Sequence, residues 1–204
     1  MLEVDGLRPP YRHSVLDVSG YLTRLGLPVD MPPTLESLTV IHRAHVERLP
    51  YNNLEIMLGA PPSVEPFEAL GRLVSTGRSG YCFHQNGSFE LVLRGLGFEV
   101  HRRHGHVWRL PEHREQTELN HLVLLVSDLP TAANPGGWWW PDVGLGDGIL
   151  EPLPLVAGPV SNLPFDFVLS DVTTERWSFT NDPRGSFSGV EISSRPVDQS
   201  VVSQ

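Results

Sequence analysis

The chain carries a single cysteine and nine histidines, and Cys82 is the residue around which nucleophilic chemistry could be built. It sits in Arg78-Ser79-Gly80-Tyr81-Cys82-Phe83-His84-Gln85-Asn86, at the start of a stretch with helical periodicity. A thiol in the first turn of a helix faces the positive end of the helix dipole. That favours the thiolate, and a neighbouring imidazolium would favour it further. In this way a cysteine becomes a nucleophile at neutral pH; otherwise a lone cysteine is a small buried hydrophobe. His121 opens the apolar run His121-Leu-Val-Leu-Leu-Val, and Asp142 lies in the next strand-like segment, ahead of Val143-Gly144-Leu145-Gly146. A sulfur on a helix start, an imidazole on a strand and a carboxylate on a neighbouring strand can converge as nucleophile, base and orienter. Pattern alone leaves His121 equally readable as a satisfied core histidine and Asp142 as a turn residue.

A metal centre is the competing chemistry. His101, His104 and His106 cluster, and His42 and His45 are three apart on a helical stretch. On a strand, His104 and His106 share a face while His101 points the other way. No carboxylate or further cysteine stands at a matching ligand spacing, so no metal is expected.

The elements that must position these groups are legible in outline. A short helix is predicted from about Val15 to Leu25. Leu35, Leu38, Ile41, Val46 and Leu49 recur at helical spacing after Thr34, a good N-cap, and Pro50 ends that helix. Pro66 suits the first turn of a helix running to Ser75, stopped by Gly77. A further helix spans Cys82 to Leu96, with a Glu90–Arg94 pair and Gly97 as its terminator. After Gly97 the texture changes. Phe98–Trp108 and His121–Val126 read as strands. So does Trp138–Leu145, although Pro141 is awkward there, and its tryptophans are expected mainly in the core. Asp166–Ser170 and Arg176–Thr180 read as a hairpin pair, and residues 193–204 as a frayed end. Helices first and strands second favour α+β, with a helical domain over 1–97 that carries the cysteine and a β-rich domain over 98–204 that carries His121 and Asp142.

Composition bounds the function. Lys and Arg number 15 against 24 Asp and Glu, a formal charge of −9. That argues against nucleic-acid and anionic-membrane partners, which want a basic face. No apolar run approaches the roughly 18 residues that span a bilayer. Met1–Pro10 has no hydrophobic stretch of the kind a signal peptide needs. One cysteine excludes an intramolecular disulfide. The expectation is a cytoplasmic protein.

The ordered segments resemble the arylamine N-acetyltransferase family. Arg78 to Asn86 is similar to its Arg-Gly-Gly-Tyr/Phe-Cys-Phe/Tyr motif, with an Asn four residues after the cysteine. Leu49-Pro-Tyr-Asn-Asn-Leu54 is similar to its Pro-Phe-Glu-Asn-Leu segment. His121-Leu-Val-Leu-Leu-Val, Asp142-Val-Gly-Leu-Gly and Glu151-Pro-Leu-Pro-Leu match its later segments in order, and weaker similarity runs through Trp177 to Phe187. The resemblance implies that Cys82 takes the acetyl group, His121 is its base, and Asp142 orients and charges the imidazole. It implies a ping-pong reaction with acetyl-CoA as acyl donor substrate, a small arylamine or arylhydrazine as acceptor, and no permanently bound cofactor. It implies a helical bundle, an antiparallel β-barrel-like domain and a C-terminal lid, the first two forming a cysteine-protease-like core.

This sequence departs from the family pattern. Ser79 replaces the second motif glycine, and Pro141 precedes the aspartate. Asn52 replaces the glutamate that normally pairs with the motif arginine, so Arg78 needs another partner or is solvated. The chain is shorter than family members, so much of the lid is expected to be absent. Two alternatives follow. One is an amide synthase that takes a polyketide chain from a carrier protein and closes a macrolactam. The other is a catalytically degenerate, lid-less homologue.

Overall fold

The computed structural model describes residues 16–203; Val15, expected to open the first helix, lies outside them, as does Met1–Pro10. The helices form where capping and periodicity agree. α1 (Val18–Arg24) is capped by Asp17, whose carboxylate accepts from the Gly20 N–H at 2.7 Å. α2 (Leu35–Arg48) is capped by Thr34 as expected. The single turn α3 (Leu54–Met57) was not foreseen. α4 (Pro66–Thr76) begins on its proline and ends at Gly77, whose φ of 75° is a left-handed cap. α5 (Cys82–Gly95) starts at the cysteine, and Gly97 reverses the chain with φ 91°.

Eight strands follow: β1 (Val100–Trp108), β2 (His121–Val126), β3 (Trp139–Trp140), β4 (Leu153–Pro154), β5 (Gly158–Asn162), β6 (Phe165–Ser170), β7 (Trp177–Thr180) and β8 (Gly189–Ser193). They form one antiparallel sheet in the order β4-β3-β2-β1-β8-β7-β6-β5. The expected hairpin is β6–β7, with Val168 opposite Thr180. Between the two edges, the Asn162 side chain stands in for a ladder. Its Oδ1 accepts from the N–H groups of Leu150 and Glu151 at 2.9 and 3.2 Å, and its Nδ2 donates to the Glu151 carbonyl. The sheet therefore curls into a nearly closed barrel.

β2 joins the two cores because its period-two alternation serves both. Leu122, Leu124 and Val126 pack with Tyr21, Ile41, Phe89 and the other helical residues. Val123 and Leu125 pack with Trp140, Phe167, Trp177, Phe179 and Ile192 in the barrel. Trp140 is fully buried and meets Phe179 edge-on at 5.0 Å, so the expected core role of this tryptophan holds.

Two expectations are corrected. The strand predicted over Trp138–Leu145 is only Trp139–Trp140. Pro141 has no N–H for the ladder, and the glycines that follow carry the chain into a turn-rich loop. The end expected to fray after residue 193 is instead α6 (Gln199–Val202), capped by Asp198. Val197 and Val202 bury in the helical core, and Gln199 donates to the Val64 carbonyl. Among the described residues no helix is long and apolar enough to cross a membrane.

Candidate active site

Cys82 is the first residue of α5 and is 6% exposed. The loop before it is pinned on three sides. The Ser79 hydroxyl donates to the Pro50 carbonyl at 2.6 Å, the Asn52 N–H donates to the Gly80 carbonyl at 2.9 Å, and Arg72 donates to the Ser79 carbonyl at 3.0 Å. Gly80 has φ 103°, and a Cβ there would meet the His84 ring at 2.7 Å; only glycine fits. Arg78 is largely solvated, 3.4 Å from Glu55, whose other oxygen is held by Arg72 at 2.5 Å. Glu55, one turn of chain beyond Asn52, therefore supplies the carboxylate that Asn52 lacks, and Arg72 is its closer partner.

The structure brings His121 and Asp142 together with Cys82. His121 Nε2 donates to Asp142 Oδ2 at 2.6 Å, with both side chains almost wholly buried. Trp140 Nε1 donates to the same oxygen at 3.2 Å, while Asn86 Nδ2 and the Gly144 N–H each donate to Oδ1 at 2.9 Å. Burial pushes the Asp142 pKa up, but the His121 charge and these donors outweigh it and hold the carboxyl below its usual value. Burial likewise lowers His121; Asp142 and, secondarily, the Cys82 sulfur overcome it and raise the imidazole to about 10. The pair is a buried imidazolium–carboxylate. Because Nε2 is committed to Asp142, Nδ1 is the nitrogen left to the sulfur. The Cys82 thiol itself donates to the Asn120 carbonyl at 3.6 Å.

Sequence reasoning missed the residues that hold this group. Asn86, four residues into α5, bridges the Leu122 carbonyl, the Asp142 carboxylate and the Val143 N–H. Its presence in the motif was visible, its contacts were not. His42 and His45, weighed only as metal ligands, go separate ways from one face of α2. His42 Nε2 accepts from the Asp142 N–H at 3.0 Å, and its Nδ1 meets the Leu150 carbonyl at 3.1 Å. His45 lies between the Tyr21 hydroxyl and Gln85 Oε1. The amide of Gln85 reaches the Gly80 carbonyl at 3.4 Å, on the cysteine loop. Desolvation lowers both imidazoles to about 4, so both are neutral at ordinary pH. The His101 ring packs against Trp138 at 5.0 Å in a tilted arrangement, and His106 bonds main-chain carbonyls of the 113–118 segment. Among the described residues no group of three His, Cys, Asp or Glu is placed to hold a metal ion.

An open cleft of about 950 Å³ reaches the buried Cys82 and His121 at its floor, walled by Tyr51, Val107, Leu145, Gly146 and Phe187. Gly144 lies against Cys82; a Cβ there would sit 2.8 Å from the Cys82 Cα.

A profile of the N-acetyltransferase family matches residues 34–190. The chain is 37% identical over 188 residues to the arylamine N-acetyltransferase of Mycolicibacterium smegmatis, covering 83% of this chain and 66% of that protein. It is 28% identical over 191 residues to the proansamycin X synthase of Amycolatopsis mediterranei, covering 84% of this chain and 70% of that one. Among solved structures, Mycobacterium marinum arylamine N-acetyltransferase in complex with CoA superposes with a TM-score of 0.75 at 29% identity, covering 90% of this chain and 68% of that chain. The chain thus spans just under two thirds of the length of the M. smegmatis relative.

Proposed function

The chain belongs to the arylamine N-acetyltransferase family, and from that premise we propose that it moves an acetyl group from acetyl-CoA to an arylamine or arylhydrazine through a thioester on Cys82. The observation that carries the reading is the buried 2.6 Å bond between His121 and Asp142 beside the Cys82 sulfur. The similarity to a family member solved with CoA supports the donor.

The proposed steps use this arrangement of side chains. The imidazolium of His121 and the free N–H groups at the start of α5 favour negative charge on sulfur. The Cys82 thiolate attacks the thioester carbonyl, a carbon–sulfur bond to Cys82 forms, the bond to CoA breaks, and His121 protonates the departing CoA thiolate. The neutral imidazole then removes a proton from the attacking amine as nitrogen bonds to the acyl carbon. The bond to Cys82 breaks and restores the thiolate–imidazolium pair. Asp142 keeps Nε2 occupied, so that Nδ1 faces the chemistry throughout.

Incubation with acetyl-CoA followed by intact-mass measurement tests this. One acetyl group is expected on the wild type and none on Cys82→Ser. His121→Ala is expected to slow acetylation by roughly 100-fold or more, since general-base assistance is worth about 10²–10⁴. A wild-type protein that stays unmodified, with a sulfur no more reactive to iodoacetamide than a free thiol peptide, would favour the degenerate homologue.

A second reading keeps the chemistry and changes the donor to a polyketide chain on a carrier protein, closed to a macrolactam. The similarity to proansamycin X synthase favours it. Transfer from an acyl-carrier thioester combined with failure to use small arylamines would select it.

A further inference from the structure

We propose that His42 is a positioning residue for the relay: as a neutral imidazole protonated on Nδ1, it fastens both ends of the loop that carries Asp142. The inference rests on reading Cys82, His121 and Asp142 as that relay.

The sheet cannot set the aspartate's position. β3 ends at Trp140, Pro141 has no N–H, and the loop that follows is held by side chains instead of a ladder. The Asp142 N–H goes to His42, the Val143 N–H to Asn86, and the Gly144 N–H folds back to Asp142 Oδ1. His42 is the only one of these to hold the loop at both ends. It takes the Asp142 N–H at 3.0 Å and meets the Leu150 carbonyl at 3.1 Å. Between those anchors lie Gly144, which abuts Cys82, and Leu145 and Gly146, which wall the cleft.

The donors fix the tautomer. Nε2 accepts a main-chain N–H, so it carries a lone pair, and Nδ1 must bear the proton given to Leu150. His45 has the opposite form, because Gln85 Oε1 can only accept from Nε2–H and the Tyr21 hydroxyl then donates to Nδ1. The groups that face His42 are Asp142 from the loop, His45 on its own helix and the edge of Phe89 from α5. Full burial outweighs Asp142 and the two main-chain bonds, so the ring stays neutral. A protonated His42 would turn a second N–H against Asp142's and release the loop.

Three substitutions separate positioning from space filling. His42→Gln can place an acceptor near the Nε2 position, His42→Asn a donor near the Nδ1 position, and His42→Leu neither. The readouts are the NMR titration of the His121 imidazole, the ¹⁵N signature of the His42 ring in the wild type, and the acetylation rate of Cys82. We expect His42→Leu and His42→Asn to lower the His121 titration midpoint and slow acetylation by about 10–100-fold, as for an ångström-scale misplacement. His42→Gln should recover most of both. An unchanged His121 titration in all three variants would overturn the proposal, as would an Nε2–H signature for His42, which can be read even where a variant does not fold. If the wild type takes no acetyl group but His121 still shifts in His42→Leu, the positioning role stands and the acetyltransferase reading falls.

Discussion

At the scale of single residues, the site depends on close approach as much as on hydrogen bonds. Gly144 has no need of glycine's backbone freedom; it needs the absence of a Cβ, because the atom met at 2.8 Å is the Cys82 Cα and backbone cannot swing aside. Gly144→Ala should keep the fold, lose about 1–3 kcal/mol to overpacking, and lower acetylation by roughly 100-fold as the sulfur moves off line. Gly136→Ala, whose Cβ would meet nothing nearer than 3.8 Å, is the control and should change neither. Equal rates for both variants would show that the loop yields where the packing says it cannot. Ser79, a departure from the family's glycine, gives its hydroxyl to the Pro50 carbonyl at 2.6 Å in a buried setting. Ser79→Ala should therefore cost about 1–2 kcal/mol by leaving that carbonyl unpaired, measured as a shift in urea midpoint with an unchanged slope.

At the scale of elements, α5 is fixed to the sheet by charge as well as by packing. Glu90, 6% exposed at its side chain, accepts from Arg94 one turn on and from Arg102 of β1 at 2.7 Å. Glu90→Gln leaves two guanidinium groups short of a carboxylate and should cost about 1–3 kcal/mol. Arg94→Ala, at a position 45% exposed, should cost less than 1 kcal/mol. If the two variants melt alike, the Arg102 contact contributes nothing. The i,i+4 half of this triad was readable in the sequence and the β1 half was not. The same division runs through the molecule. α2, α4, α5 and β2 were legible because caps, proline and glycine stops and apolar periodicity are local. Cys82 and His121 each open one of these elements, whereas Asp142 was singled out from a strand-like segment of which only Trp139–Trp140 forms a strand. β5, with Gly158, Pro159 and Asn162, has the composition of a turn; it is a strand because β6 pairs with it. β8 exists because β1 and β7 flank it. The contact of His42 with Asp142 spans 100 residues, and no local pattern encodes it.

At the scale of the whole molecule, the buried histidines oppose one another in their effect on stability. An unfolded histidine titrates near about 6.5. His42 and His45 titrate near 4 in the fold because burial disfavours their charged forms. Between those values the unfolded chain binds more protons, so stability is present above about 6.5 and is lost as pH falls toward 4. Each contributes a slope of at most about 1.4 kcal/mol per pH unit. His121 has the reverse sign. Asp142 and the Cys82 sulfur raise it to about 10 against the pull of burial, so its contribution is complete below 6.5 and is lost as pH rises from there to 10. Asp142, whose pKa is lowered, adds stability above its unfolded value, lost only in stronger acid. The sum is a stability dome with its crest near pH 6 to 7, an acid limb steeper than the alkaline one, and an alkaline limb due chiefly to one imidazolium. Denaturant midpoints from pH 4 to 10 should trace that dome. Asp142→Asn should flatten the alkaline limb, and His42→Leu should make the acid limb shallower. An alkaline limb equally steep in Asp142→Asn would mean that His121 is not held charged by this carboxylate.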